Sequence, residues 1–175
     1  MRTFDYVKKS SLWDNSKKFV KYKGSSTPDI LILGEAPGVE ENRLGKPFVG
    51  KCGKLLDSWL SNESNNFRFG ISNVVHLMPT SDDGRIRKPS KLEVDYFKPI
   101  VRAIIKKYSP RIIICLGSTA SESLLDIPIS VAKNKVCYFM GRPVYSMYHP
   151  SYFLRKNLVG SREFGALIKL ISERM

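Results

Sequence analysis

Four short apolar runs divide the chain. They cover residues 29–34, 70–76, 111–116 and 143–148. A continuous apolar run that ends at Gly, Pro or polar residues is typical of a strand buried on both faces of a parallel sheet. The third run is the clearest example, because three consecutive isoleucines after Arg111 favour an extended backbone.

Helical patterns lie between these runs and after the last of them. They cover residues 53–60, about 90–108, about 119–125 and 161–175. Two of the helices are predicted to begin with a capping box, formed by Ser90 with Glu93 and by Thr119 with Glu122. The alternation of strands and helices predicts an α/β fold, a three-layer α/β/α sandwich with a central, mostly parallel four-stranded sheet.

The first segment of the chain differs from the rest. Residues 1–27 are polar and rich in Lys and Ser. We interpret them as a basic N-terminal arm that packs, through Trp13 and Phe19, on a single domain formed by residues 28–175.

Composition narrows the class of protein. The chain has 175 residues, of which 42% are hydrophobic, so disorder is excluded for most of it. No apolar run reaches the ~20 residues that span a bilayer, and the start lacks a signal-peptide core, so we expect a cytoplasmic or other intracellular protein. Three cysteines without a C-x-x-C pair provide neither a disulfide framework nor a four-thiolate metal site, so no metal is expected.

Charge indicates the partner. Lys and Arg number 29 against 16 Asp and Glu, a net charge of +13 that favours a phosphate-rich partner, above all nucleic acid. One stretch, 133–162, carries basic residues and no acidic one. Its basic residues are Lys133, Lys135, Arg142, Arg155, Lys156 and Arg162.

Polar and glycine-containing turns follow all four predicted strands. They include Gly34–Gly38, Asn73 with His76, Gly117–Thr119 and His149–Ser151. Because ligands bind at the carboxyl ends of strands in open α/β sheets, these four turns predict one pocket. Ser118 and Thr119, at a predicted helix N-terminus, are candidates for binding phosphate.

The turn after the first strand opens a longer motif. It reads Gly34-Glu-Ala-Pro-Gly38, then Glu41, Gly45-Lys-Pro-Phe-Val-Gly50, Gly53 and Leu55-Leu-Asp57. This motif resembles the first motif of the family 4 uracil-DNA glycosylases. The resemblance continues through Ser72-Asn-Val-Val75, Arg87-Lys-Pro-Ser90, Pro110 and Leu116-Gly117 to His149-Pro-Ser-x-x-Leu-Arg155, and so covers about residues 29–156.

The resemblance implies an enzyme that flips uracil out of DNA, hydrolyses its N-glycosidic bond and leaves an abasic site. It assigns base stacking to Phe48 and pairing with the uracil edge to Asn73, beside Gly34 and Ala36. An Asn side chain offers one donor and one acceptor, so it can accept uracil and reject cytosine.

The same resemblance assigns the chemistry. Glu35 is expected to activate water and stabilise positive charge on the sugar, and His149 to hydrogen-bond uracil O2 as negative charge develops there. Residues 150–154 are expected to form a minor-groove loop with Phe153 as an apolar wedge. The DNA contacts expected from this loop and nearby are Pro150, Ser151, Tyr152, Phe153, Arg155, Lys156, Arg87 and Lys88, besides Ser118 and Thr119.

The chain departs from the family pattern at the cysteines. Family 4 members usually carry four cysteines for an iron–sulfur cluster. Here the N-terminal region has none, and Leu77 and Phe97 stand at the other two positions, so we expect no cluster. A covalent uracil-DNA adduct, which a related branch forms through a loop histidine, is disfavoured because residues 82–88 contain no histidine.

Three alternatives remain open from the sequence. The first is a non-catalytic uracil-DNA or DNA-binding paralogue. The second is a glycosylase for another base, such as hypoxanthine or 5-hydroxymethyluracil, and the third is a nucleotide-binding α/β protein. The sequence contains no G-x-G-x-x-G or P-loop motif, which counts against the nucleotide-binding protein. The partner expected from the main interpretation is uracil-containing DNA, single- or double-stranded, bound by a monomer.

Overall fold

A computed structural model describes residues 3–63, 66–133 and 135–174. The strands are β1 (Lys23–Gly24), β2 (Ile30–Gly34), β3 (Phe69–Asn73), β4 (Ile112–Leu116), β5 (Cys137–Phe139) and β6 (Arg142–Met147). The helices are α1 (Thr3–Val7), α2 (Val39–Leu44), α3 (Lys51–Ser61), α4 (Lys91–Tyr108), α5 (Ser118–Leu125), α6 (Ile129–Ala132), α7 (Pro150–Arg155) and α8 (Ser161–Ser172). Within these ranges, no helix combines the length and apolar character needed to cross a membrane.

The sheet has six strands in the order β1-β3-β2-β4-β6-β5. The four inner strands are parallel, and Ile32 of β2 pairs with Ile71 on one side and Ile114 on the other. The prediction of four parallel strands is confirmed for this inner part. The predicted strand count is too small, because β1 and β5 add antiparallel edges next to β3 and β6.

Both faces of the sheet are covered, which explains the unbroken apolar runs. Leu31 and Leu33 face a core that includes α4 and α5, whereas Ile30 and Ile32 face a second core that includes α3 and α8. All five residues of β2 are buried, and so are all five of β4. The three-layer α/β/α sandwich is therefore confirmed.

The two predicted capping boxes have different outcomes. Ser90 Oγ accepts a hydrogen bond from the Glu93 N–H at 3.2 Å, and the Glu93 carboxylate accepts one from the Ser90 N–H at 2.7 Å, so this box is confirmed. The Thr119 box is wrong. Helix α5 begins one residue earlier, at Ser118, with Gly117 as its N-cap at φ +91°, a backbone conformation that favours glycine.

Residues 3–27 contribute to both the sheet and the core. Strand β1 pairs with β3, and Val7, Leu12 and Val20 are buried. Trp13 and Phe19, the predicted contact points, pack against the same core as α4.

His76 is a fully buried titratable group in this core. Its ring lies 5.6 Å from that of Phe19 and 5.8 Å from that of Phe97, measured between centroids. Nδ1 is 3.0 Å from the Val20 carbonyl, so the neutral ring donates there, and Nε2 has no partner among the described residues. Burial lowers the pKa of His76 to about 4, because a charged imidazole is poorly solvated there.

We expect His76 to make folding stability depend on pH between about 6.5 and 4. In this window the unfolded chain binds a proton that the folded protein does not, so the free energy of unfolding falls as the pH falls. For a fully buried imidazole the loss is on the order of 3 kcal/mol. Urea unfolding at pH 7 and pH 4.5 measures this loss. The free energy of unfolding of His76→Gln should fall less between these two pH values than that of wild type. An equal fall for the two proteins would contradict the prediction.

Candidate active site

The carboxyl ends of the inner strands surround two adjoining cavities. The inner cavity has a volume of about 190 Å³ and is lined by Glu35, Ala36, Phe48, Asn73 and His149, among others. This volume is below the ~300–1,000 Å³ of sites for drug-sized ligands, so the inner cavity matches a single small ring. The structure thus brings together side chains from three strand ends and from the loop before α3.

Gly34 allows an aromatic ring to approach the strand end. A Cβ atom at this position would lie 2.4 Å from Phe48 Cζ and 2.7 Å from Asn73 Oδ1, closer than real contacts allow. The absence of a side chain at Gly34 therefore lets the Phe48 ring and the Asn73 amide line the same small space. The Phe48 ring also lies 5.7 Å from the His149 ring, centroid to centroid.

The turn that carries Phe48 is held by two charged side chains. The Glu41 carboxylate accepts hydrogen bonds from the N–H groups of Val49 and Gly50, both at 2.8 Å, and from that of Gly38 at 3.1 Å. Lys23 Nζ donates to the Phe48 carbonyl at 2.9 Å. These contacts stabilise Phe48 at φ +50°, which is unfavourable for a residue with a side chain.

Sequence reasoning missed these roles of Glu41 and Lys23. Glu41 belongs to the quoted motif, and a Glu three residues after the helix N-cap, here Gly38, is the carboxylate half of a capping-box signal. Lys23 carries no such signal, because its contact depends on the pairing of β1 with β3.

His149 is the N-cap of α7 and is oriented by Ser151. Its Nδ1 accepts a hydrogen bond from the Ser151 N–H at 3.1 Å and lies 3.0 Å from Ser151 Oγ. Burial lowers the pKa of His149 to about 4, and the positive charge of Arg155 adds to the effect. The ring is therefore neutral at pH 7 with its proton on Nε2, which makes Nε2 a hydrogen-bond donor.

Glu35 lies at the boundary between the two cavities. Its carboxylate accepts a hydrogen bond from the Thr119 hydroxyl, which fixes its orientation. The outer cavity, of about 380 Å³, shares Glu35, Ala36 and His149 with the inner one. A ligand that occupied both cavities would place the bond between its two parts beside Glu35 and His149.

The outer cavity holds several of the predicted DNA contacts. Ser118, Ser151, Tyr152 and Arg155 line it. Tyr152 stacks on Tyr148 with 4.4 Å between ring centroids, and Lys133 Nζ donates to the Tyr148 hydroxyl at 3.0 Å. The cavity therefore combines aromatic surface with basic groups, which suits a sugar and its phosphates.

Three of the predicted DNA contacts are buried in the structure. Thr119 is 5% exposed and its hydroxyl bonds to Glu35, so it orients a carboxylate instead of binding phosphate. Pro150 is buried at the first position of α7. Phe153, the predicted wedge, is 3% exposed and packs edge-to-face on Trp59 at 5.4 Å, whereas its neighbour Leu154 is 42% exposed.

The remaining predicted contacts lie outside the outer cavity. Arg87 lines the inner cavity, but its guanidinium forms two hydrogen bonds with Glu93, at 2.6 and 2.8 Å. A phosphate at Arg87 would have to compete with this carboxylate. Lys88 is exposed and faces a different cavity, next to α4, and Lys156 is exposed at the end of α7.

The residues present do not fit an iron–sulfur cluster. Leu77 and Phe97, at two of the expected ligand positions, are 0% exposed within the apolar core. The three cysteines lie apart from these positions: Cys52 lines the inner cavity, Cys115 is inside β4 and Cys137 is in β5. Among the described residues, no group of three or more His, Cys, Asp and Glu side chains is placed to hold a metal.

We therefore expect purified protein to contain no iron–sulfur cluster, because such clusters are held by cysteine thiolates. An anaerobic preparation should lack the visible absorbance of a cluster and show no stoichiometric iron or acid-labile sulfide. Iron and sulfide in stoichiometric amounts would overturn this prediction and require ligands other than those described.

Comparison with known proteins identifies the family. The family model of the uracil DNA glycosylase superfamily matches residues 22–169. The Type-4 uracil-DNA glycosylase of Thermotoga maritima is 34% identical over 147 residues, covering 81% of this chain and 74% of the relative. The enzyme of Pyrobaculum aerophilum is 34% identical over 155 residues, covering 80% of this chain and 75% of the relative. The enzyme of Archaeoglobus fulgidus is 30% identical over 159 residues, covering 84% of this chain and 77% of the relative.

A solved structure shows the same fold. A solution NMR structure from Methanosarcina acetivorans, assigned as a uracil DNA glycosylase, superposes with a TM-score of 0.54 at 16% identity, covering 89% of this chain and 98% of that one. At this identity the likeness concerns the fold alone. The family match and the relatives together show that this chain belongs to the uracil-DNA glycosylase superfamily, close to its family 4.

Proposed function

We propose that this protein is a uracil-DNA glycosylase that flips uracil out of DNA, hydrolyses its N-glycosidic bond and leaves an abasic site, the first step of base excision repair. One observation carries the proposal. Glu35, Phe48, Asn73 and His149 converge on a cavity that matches one small ring, and the cavity adjoins a basic, aromatic one.

The inner cavity supplies what a flipped uracil needs. The Phe48 ring replaces the stacking lost from the duplex, worth ~1–3 kcal/mol per base. The Asn73 amide pairs with the polar edge of uracil through one donor and one acceptor. Cytosine presents the reverse pattern at two positions, so it leaves buried polar groups unpaired and is rejected.

The bond cleaved lies where the two cavities meet. With the base in the inner cavity and the sugar in the outer one, Glu35 faces the sugar carbon, orients a water molecule and stabilises positive charge there. The water oxygen bonds to that carbon while the electrons of the N-glycosidic bond leave with the base. His149 donates its Nε2 proton in a hydrogen bond to uracil O2, which stabilises the departing anion; the proton lost by water ends on the released uracil.

The DNA strand is held around this site. Arg155 and Lys156 at the end of α7 contact phosphates, and Ser118 at the start of α5 contributes N–H and hydroxyl donors. Leu154, exposed on the same helix, takes the wedge role that the sequence predicts for Phe153. Residues 82–88 carry no histidine, so release of the base is expected in place of a stable adduct.

An excision assay with a panel of bases tests the proposal. Oligonucleotides that carry one uracil, hypoxanthine, 5-hydroxymethyluracil or thymine are incubated with the protein in a chelator and then cleaved with alkali. We expect strand breaks at uracil. Breaks only at another base would show that this base, and not uracil, is the substrate. Breaks at none of the bases would favour a non-catalytic DNA-binding paralogue.

A further inference from the structure

A further concave surface lies between the N-terminal segment and the end of α2. It has a volume of about 670 Å³, and we call it the N-terminal groove. Its lining includes Phe4, Trp13, Lys17, Lys18, Phe19 and Lys21. The proposed excision of a single base leaves this groove without a role.

The groove lies at the same edge of the sheet as the inner cavity. The Val20 N–H donates to the His76 carbonyl at 3.0 Å, just beyond the end of β3. Gly45, which caps α2 at its C-terminus, lines the groove, whereas Gly38 and Glu41 at the other end of α2 line the inner cavity. Helix α2 therefore separates the two sites.

The length of α2 sets the spacing. With six residues, this helix is about 9 Å long. One strand of duplex DNA rises about 3.4 Å per nucleotide, and an unpaired strand is longer per nucleotide, so this length corresponds to no more than about three nucleotides. A strand with its uracil in the inner cavity can thus place a nearby flanking nucleotide in the groove.

The lining of the groove suits an unpaired strand. Phe4 is 44% exposed and packs edge-to-face on Trp13 with 5.6 Å between centroids, and Lys8 Nζ lies over its ring, 4.8 Å from the centroid. Lys18 and Lys21 are exposed, Lys18 Nζ donates to the Arg43 carbonyl at 2.5 Å, and the described lining residues include no carboxylate. Aromatic faces that accept a base, combined with lysines along the backbone, are the pattern of single-strand binding proteins.

Lys17 anchors the groove to the active-site edge. It is 6% exposed, and its Nζ donates to Thr80 Oγ1 at 2.8 Å, on the loop that leads to Ile86 and Arg87 of the inner cavity. This contact makes the groove wall continuous with the loop beside the inner cavity. Lys17 is for the same reason structural and unsuited to a binding test.

We propose that the N-terminal groove is a second DNA subsite, which binds an unpaired nucleotide within about three positions of the uracil. The proposal rests on the proposed function in naming DNA as the occupant. It assigns to residues 4–21 a role in selecting single-stranded or locally opened DNA, with Phe4 as the stacking surface and Lys18 and Lys21 as phosphate contacts.

The test uses the full chain and three uracil oligonucleotides. One has a long 5′ flank, one a long 3′ flank, and one only a single nucleotide on each side. The variant is Lys18→Glu with Lys21→Glu. The matched control is Lys106→Glu with Lys169→Glu, which makes the same charge change on exposed residues of α4 and α8. Kd is measured for each, together with single-turnover excision at saturating protein.

We expect wild type to bind one long-flank oligonucleotide at least ~10-fold more tightly than the other. The Lys18 and Lys21 variant should lose this difference, while the control keeps it and both excise saturated uracil at the wild-type rate. A fluorescent base analogue two or three nucleotides from the uracil should be quenched by wild type and not by Phe4→Ala.

Equal affinities of variant and control for every oligonucleotide would overturn the proposal, since the groove would then serve another occupant, such as an acidic peptide or a second copy of the chain. Equal losses on long and short oligonucleotides would also overturn it, by showing general electrostatics. Flank-dependent binding without excision would instead refute the proposed function and support the DNA subsite. Excision without flank-dependent binding would support the proposed function and refute the subsite.

Discussion

Glu35→Gln and His149→Ala should each lower the single-turnover rate of uracil excision by on the order of 100-fold or more, with DNA affinity nearly unchanged. The reason is that both interactions strengthen only as charge develops. In the proposed mechanism Glu35 faces the sugar and the neutral His149 ring faces the base, so neither contributes much to holding the substrate before the bond breaks. Rapid-quench excision and fluorescence anisotropy measure the two quantities separately.

Glu40→Gln is a suitable control for the loss of a negative charge. Glu40 is exposed on α2 and pairs with Arg43 at 2.8 Å, away from both cavities, so we expect the wild-type rate. Asn73→Ala should differ from both catalytic variants, because Asn73 is proposed to contact the bound base itself. It should weaken discrimination between uracil and undamaged DNA together with the rate. If Glu35→Gln cuts as fast as wild type, the assignment of Glu35 is wrong.

Phe153→Ala should destabilise the protein by about 3–5 kcal/mol, because it removes a ring packed on Trp59 in the core. Leu154→Ala, at the exposed neighbouring position, should change the free energy of unfolding by no more than about 0.5 kcal/mol. Its effect should instead be on catalysis: excision from duplex DNA should fall more than excision from a single strand, because only a duplex needs a wedge to replace the flipped base.

Urea unfolding of the two variants, combined with excision from paired and unpaired substrates, separates these roles. A Phe153→Ala protein that is as stable as wild type and fails only on duplex DNA would restore Phe153 as the wedge. In that case the loop would have to rearrange when it binds DNA.

The inner sheet was predictable because burial on both faces leaves a continuous signal, as in the isoleucines of β4. The edge strands were not. Strand β1 has two residues and β5 has three, so neither is long enough to carry a pattern, and each depends on a partner strand that it meets only in the folded chain.

The residues of the inner cavity were predicted by their place in the family motif, but side-chain direction on short helices was not. Phe153 and Leu154 are adjacent in sequence, yet a helix turns by about 100° per residue, so one enters the core and the other faces solvent. The contact between Thr119 and Glu35 joins residues 84 positions apart. Its existence depends on the neighbouring positions of β2 and β4, which the local sequence does not encode.

Direct detection of the released base tests the central claim most closely. Wild-type protein in excess is mixed with DNA that carries one isotope-labelled uracil, and free uracil is quantified by mass spectrometry over time beside Glu35→Gln. We expect that wild type releases free uracil stoichiometrically, and that Glu35→Gln does so on the order of 100-fold more slowly. Tight binding of uracil-DNA by wild type, with no free uracil after hours, would contradict it and show a binding protein in place of an enzyme.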